Sequence, residues 1–148
     1  MITAIFVIVI MATLTSLIMN VTGKTIKETT QQYQKEQAAL LARSYTELAI
    51  FNALYYDRNG TSCFEAMTDT FGVENGFNGY DISVNIQYIG NNTLLNGCGS
   101  HITSTWTNNS NGFNKTVSLV IDTYITYKDF DDPANRDITF HRRTLQKL

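Results

Sequence analysis

The sequence predicts an α+β protein, in which a long N-terminal helix, apolar at first and amphipathic later, packs on an antiparallel sheet of three to four strands. Three observations carry that expectation. The opening stretch Met1–Val21 is apolar and uncharged, and the first cation is Lys24. Helical spacing returns between Ala38 and Tyr55, where Leu41, Tyr45, Leu48, Phe51 and Tyr55 recur at intervals of three and four. Beyond residue 80 the period drops to two in several stretches, the pattern of strands with one buried face.

The opening run has the length to cross a bilayer, since a helix rising 1.5 Å per residue covers roughly 30 Å in about twenty residues. Thr3, Thr13, Thr15 and Ser16 are compatible with lipid because their hydroxyls bond back to the preceding turn. A cleavable secretory signal would need a basic start, a shorter apolar core and small residues at the cut, and Met19-Asn20-Val21-Thr22 supplies no such site. An ordinary anchor is the plainer reading. Its nearest cations, Lys24 and Lys27, would hold the remainder in the cytoplasm by the positive-inside rule. A third reading is a segment whose basic leader has been removed, leaving a free amine at the head of an apolar helix.

Between the apolar run and the amphipathic stretch, residues 24 to 37 are polar nearly all round, with Lys24 and Glu28 spaced as an i,i+4 pair. Gly23 is the one helix-weakening residue there, costing about 1 kcal/mol relative to alanine. The chain divides accordingly into an apolar half-helix (1–23), a neck with the amphipathic half (24–56) and a globular head (57–148). One helix through all of this would be on the order of 80 Å long.

This succession resembles the type IV pilin and type II secretion pseudopilin family. The resemblance rests on Met1–Met19 and on the three zones of one long helix, and it covers the head only in outline. It implies a subunit whose basic leader is cut by a prepilin peptidase. The apolar half-helix, including Ile5, Phe6, Ile8, Ile10, Leu14, Leu17 and Ile18, would wait in the inner membrane and then pack in a filament core. Its implied partners are copies of itself, other pilin-like subunits and the assembly platform, and its place is the inner membrane and then a periplasmic or extracellular filament. Family members usually carry a Glu near the start of the helix, whereas no acidic residue occurs here before Glu28; the family position falls on Thr3 if two residues precede Met1. The mid-helix Pro of major pilins is also absent, so the resemblance points towards a minor subunit.

After the helix, Asp57-Arg-Asn-Gly60 is a turn signal and Ser62-Cys-Phe-Glu65 matches a capping box, which predicts a short helix from about Cys63 to Thr70. Tyr80, Ile82, Val84, Ile86 and Tyr88 alternate with polar residues as a half-buried strand. His101–Thr107 alternates again, with Ile102 and Trp106 on one face. Thr116–Tyr127 is the strongest strand, and a last one runs Asp137–Thr144. Consecutive strands with short connections predict a meander whose apolar face takes the stripe of Leu41, Tyr45, Leu48, Phe51 and Tyr55.

There are two cysteines, Cys63 and Cys98, outside any C-x-x-C setting; in an oxidising compartment they would form one disulfide, worth about 4 kcal/mol in the chain-entropy account. Five Asn-X-Ser/Thr triplets occur, at Asn20, Asn59, Asn91, Asn108 and Asn114. Only Asn59, in Asp57-Arg-Asn-Gly-Thr61, resembles the extended acceptor of bacterial N-glycosylation. Asp129, Asp131, Asp132, Asn135 and Asp137 put hard oxygens on one loop and make a candidate Ca²⁺ site, although the same residues make an ordinary turn, without EF-hand spacing.

No metalloprotease, nucleophile-elbow, phosphate-loop or dinucleotide motif is present, and His101 and His141 stand apart from any catalytic pattern, so the expectation is not an enzyme. The net charge of -2 gives no case for bulk nucleic-acid binding; the basic end His141–Lys147 could meet acidic neighbours in a filament or touch DNA, but without interleaved aromatics it reads first as a solvated strand end. The expected function is structural, a filament subunit assembled from the inner membrane. A monomeric periplasmic binding domain on a single-pass anchor is the alternative.

Overall fold

The computed structural model describes residues 2–56, 63–72, 79–91, 94–95, 97–103, 116–129, 132 and 134–148. One helix, α1, spans Ile2–Tyr55, and five strands follow: β1 Ala66–Phe71, β2 Tyr80–Gly90, β3 His101–Thr103, β4 Ser118–Lys128 and β5 Asp137–Lys147. The chain forms two units, Met1–Glu36 and Gln37–Leu148. The architecture is α+β, as expected.

The first unit is helix alone. Threonine hydroxyls turn back on the preceding turn as their position suggests: Thr13 donates to the Ile10 carbonyl at 2.8 Å, Thr15 to Met11 at 2.8 Å and Thr22 to Ile18 at 2.9 Å. The helix runs through Gly23 without a break, and the space around that residue is open for at least 4 Å.

In the second unit the sheet order is β1-β2-β4-β5, every neighbouring pair antiparallel. β3 joins β2 in parallel at Tyr88–Gly90, on the same flank that β1 occupies from Tyr80 to Asn85. The two share that flank end to end: the Ile86 amide donates to the Glu65 carbonyl at 2.7 Å and the Tyr88 amide to the Ser100 carbonyl at 3.0 Å. The expected meander therefore fails at one step. The eleven-residue β4 pairs with β2 at nine positions and takes the place beside it, whereas the three described residues of β3 lie on the outer flank. Trp106 lies outside the described residues.

The short helix expected over Cys63–Thr70 is instead β1. The Glu65 carboxylate does not cap a helix; it accepts the Gly99 amide and, at 2.9 Å, the Ser100 amide. Cys63 is tied to Cys98 by a disulfide with Cα atoms 4.9 Å apart. Anchored at both residues and paired with β2 at six positions, the segment has more to gain as a strand than as two turns of exposed helix.

The second correction concerns the face of α1 that meets the sheet. Within the second unit its buried residues are Ala38, Ala42, Thr46, Ala49 and Ala53, spaced four, four, three and four apart. Leu41 and Tyr45 are half-buried beside that seam, while Leu48, Phe51 and Tyr55 are 44%, 65% and 82% exposed. The physical reason is complementary volume. The sheet supplies the bulk, from Tyr80, Ile82, Val84, Ile86 and Tyr88 on β2 and Leu119, Ile121 and Ile125 on β4, and small residues let the helix backbone approach it. Thr46 is satisfied within the seam, its hydroxyl 2.6 Å from the Ala42 carbonyl and 3.1 Å from the Thr123 hydroxyl.

Candidate assembly surface

The first candidate is the apolar span itself. Its apolar stretch carries no charged residue before Lys24, and none of it is buried. Ile5, Phe6, Ile8, Ile10, Leu14, Leu17 and Ile18 are all exposed, Phe6 by 68%. A continuous apolar surface of this kind is compatible with water only if lipid or other protein covers it. By length and composition the helix is a candidate membrane anchor or signal sequence.

The second candidate lies on the head. At roughly 100° per residue, Leu40, Leu48, Phe51 and Tyr55 project from α1 on the side facing away from the alanine seam. All four are exposed. At one end of this stripe a hollow of about 270 Å³ is lined by Gln37, Leu40, Leu41, Ser44 and Phe71, bringing in a ring from β1 that is itself exposed. Leu40 and Phe71 had not been singled out by sequence reasoning. The signal that would have found Leu40 is the double periodicity of 38–55, in which small residues and large residues each repeat at helical spacing on opposite sides; Phe71 is brought there by β1 and has no such signal.

Polar contacts fix the margins of the stripe. The Tyr45 hydroxyl donates to Asp69 at 2.5 Å, and the other oxygen of that carboxylate accepts the Thr70 amide at 2.8 Å. The Tyr45 bond lowers the Asp69 carboxyl from its ordinary value and raises the Tyr45 hydroxyl, because the shared proton favours the charged acid and the neutral phenol.

On the opposite face of the sheet the register of β4 with β5 assembles a charged group. Arg143 grips Asp122 with two bonds, Nε to Oδ1 at 2.7 Å and a terminal nitrogen to Oδ2 at 2.8 Å, and His141 Nε2 lies 2.8 Å from Oδ1. The His141 ring stacks on Tyr124 at 4.4 Å and 8°. Arg143, above all, holds the Asp122 carboxyl below the ordinary carboxylate range, against the opposing effect of burial. An open hollow of about 500 Å³ beside it is lined by Glu65, Asn85, Gln87 and Tyr124 among others. Of the two histidines, His101 bonds through Nδ1 to the Cys98 carbonyl.

The acidic loop is organised by protein partners. Asp132 pairs with Arg136 at 2.6 Å and accepts the Ala134 amide at 3.0 Å, while the Asp132 and Asn135 amides donate to the Asp129 and Asp132 carbonyls. Asn135 takes a left-handed φ of 50°. Asp131 lies outside the described residues, and among the described residues no three acidic, histidine or cysteine side chains gather as a cation would need. Asn59 also lies outside the described residues. No protein-family model, curated protein or solved structure matches this chain.

Proposed function

We propose that this chain is a structural subunit of a helical filament of the type IV pilin or type II secretion pseudopilin kind, held in the inner membrane before assembly. The observation that carries the reading is α1: an unburied apolar span passes, without interruption, into the helix that forms the spine of a disulfide-closed head. In lipid the apolar half is solvated by acyl chains. On extraction it exchanges them for equally apolar helices of neighbouring subunits, so the exchange turns on packing rather than on a hydrophobic gain. The contact is heterologous and does not close, which gives a helical polymer.

The exposed stripe of Leu40, Leu48, Phe51 and Tyr55 extends the same logic into the head, offering a second apolar surface to neighbours. An oxidising periplasmic or extracellular location agrees with the Cys63–Cys98 bond. The expected processing step is removal of a basic leader by a prepilin peptidase.

The test is to express the full chain with its upstream coding sequence in cells carrying a filament assembly system, then collect sheared surface or periplasmic fibres. Wild type should be recovered in fibres, and Leu14→Lys should leave the chain in the membrane fraction. A chain that is never processed and remains monomeric in the membrane beside normal fibres would overturn the reading and leave the anchored binding domain in its place.

A further inference from the structure

β5 is a long edge strand, and its outer flank is open among the described residues. The Leu148 amide donates to the Val117 carbonyl at 2.9 Å, extending the pairing in which Ser118 faces Lys147. Alternation from that bond turns the backbone groups of Ile138, Phe140, Arg142, Thr144 and Gln146 towards β4. Those of Asp137, Thr139, His141, Arg143, Leu145 and Lys147 point the other way. The Lys147 carbonyl takes its own chain's Gln146 side-chain amide at 3.0 Å, and among the described residues nothing else reaches that row.

The opposite edge of the sheet is handled differently. β1 has six residues, and its outward Thr70 amide is taken by Asp69. β5 runs for eleven residues in unbroken register, with no bulge and no residue in the left-handed region. Backbone groups in such a row are matched by another extended strand.

We propose that the open flank of β5 pairs with β5 of a second copy of this chain, antiparallel, about a two-fold axis at Arg142. In this register all six outward residues on each strand find hydrogen-bonding partners: Asp137 opposite Lys147, Thr139 opposite Leu145 and His141 opposite Arg143. A shift of two residues either way leaves outward groups without partners and separates Asp137 from Lys147. The charges fit this occupant. Arg143 and His141 are already engaged by Asp122 within their own copy, so the outer face of the joint is close to balanced. Two Asp137–Lys147 pairs at the ends offset the one like-charge contact, Arg142 against its counterpart.

A two-fold axis perpendicular to the sheet reverses every direction lying in it, including that of the head segment of α1. The pairing therefore joins heads of opposite orientation. It does not depend on the filament reading, since it needs only two heads.

The experiment uses the full chain in detergent micelles. Under mild oxidation Arg142→Cys should be recovered mainly as a covalent dimer on a non-reducing gel. Thr144→Cys alone should stay monomeric, and an equal mixture of Phe140→Cys with Thr144→Cys should cross-link. Association through the apolar helices would not produce this pattern, so cross-linking at all three arms alike, or at none, overturns the proposal. A second measurement avoids new cysteines. In sedimentation, wild type mixed with Arg142→Glu should form a mixed dimer about fivefold tighter than either parent dimer, because the central pair becomes opposite in charge. Equal affinities, or monomers throughout, overturn the pairing, including the case in which another segment or an acidic partner fills the flank.

Discussion

Replacing Ala49 by leucine tests the packing of α1 more sharply than any change to its large residues. Ala49 is fully buried against the sheet, so three added carbons must displace either the helix backbone or the β-branched layer beneath it. Overpacking of this kind costs about 1–3 kcal/mol. At about 4 °C per kcal/mol for a unit of this size, Ala49→Leu should lower the melting temperature by about 4–12 °C. Phe51→Ala makes the contrast, because its ring is 65% exposed and only about a third of a phenylalanine's roughly 3 kcal/mol burial value is at stake, near 1 kcal/mol. Thermal unfolding of both variants, followed by circular dichroism in detergent with the disulfide intact, gives the comparison. If Phe51→Ala proves the more damaging, the helix docks through its large stripe and the alanine seam is wrong.

Cys63→Ser combined with Cys98→Ser should cost about 4 kcal/mol in urea unfolding, the chain-entropy value for a sequence separation of 35. Asp122 sets an acid limb: its carboxyl is lowered in the folded chain, so its contribution is complete above the unfolded value of about 4 and is lost as pH falls below that towards the folded value. Stability measured from about pH 5 to pH 2 should fall less steeply for Asp122→Asn than for wild type, although the variant starts lower at neutral pH. Gly72, at φ 75°, ends β1 in a conformation that side chains resist, and Gly72→Ala should destabilise by about 1 kcal/mol despite the open space around it.

The elements that were legible in advance are those written in local pattern. The apolar run, the alternation of Tyr80–Tyr88 and of Thr116–Tyr127, and the presence of two cysteines each report on their own neighbourhood. Boundaries shifted by a few residues, as at the end of β5, which continues to Lys147. The misses arise where a distant partner decides. Ser62-Cys-Phe-Glu65 matches a helix start, but the amides of Gly99 and Ser100 claim Glu65, more than thirty residues away. The large residues of the stripe suggest the core-facing side because large apolar residues usually face the core, yet side chains on the sheet already fill that volume. The group of Asp122, His141 and Arg143 exists only once β4 and β5 are set in register, and no spacing within either strand discloses it.

The disulfide also determines how the head bears load. Tension applied along α1 travels through the covalent chain to Cys63, and there it divides between β1 and the bridge to Cys98. Because β1 and β3 sit end to end on one flank of β2, the bridge fastens the point at which unzipping would begin. An oxidised head should resist a tug on its stem that a reduced one yields to.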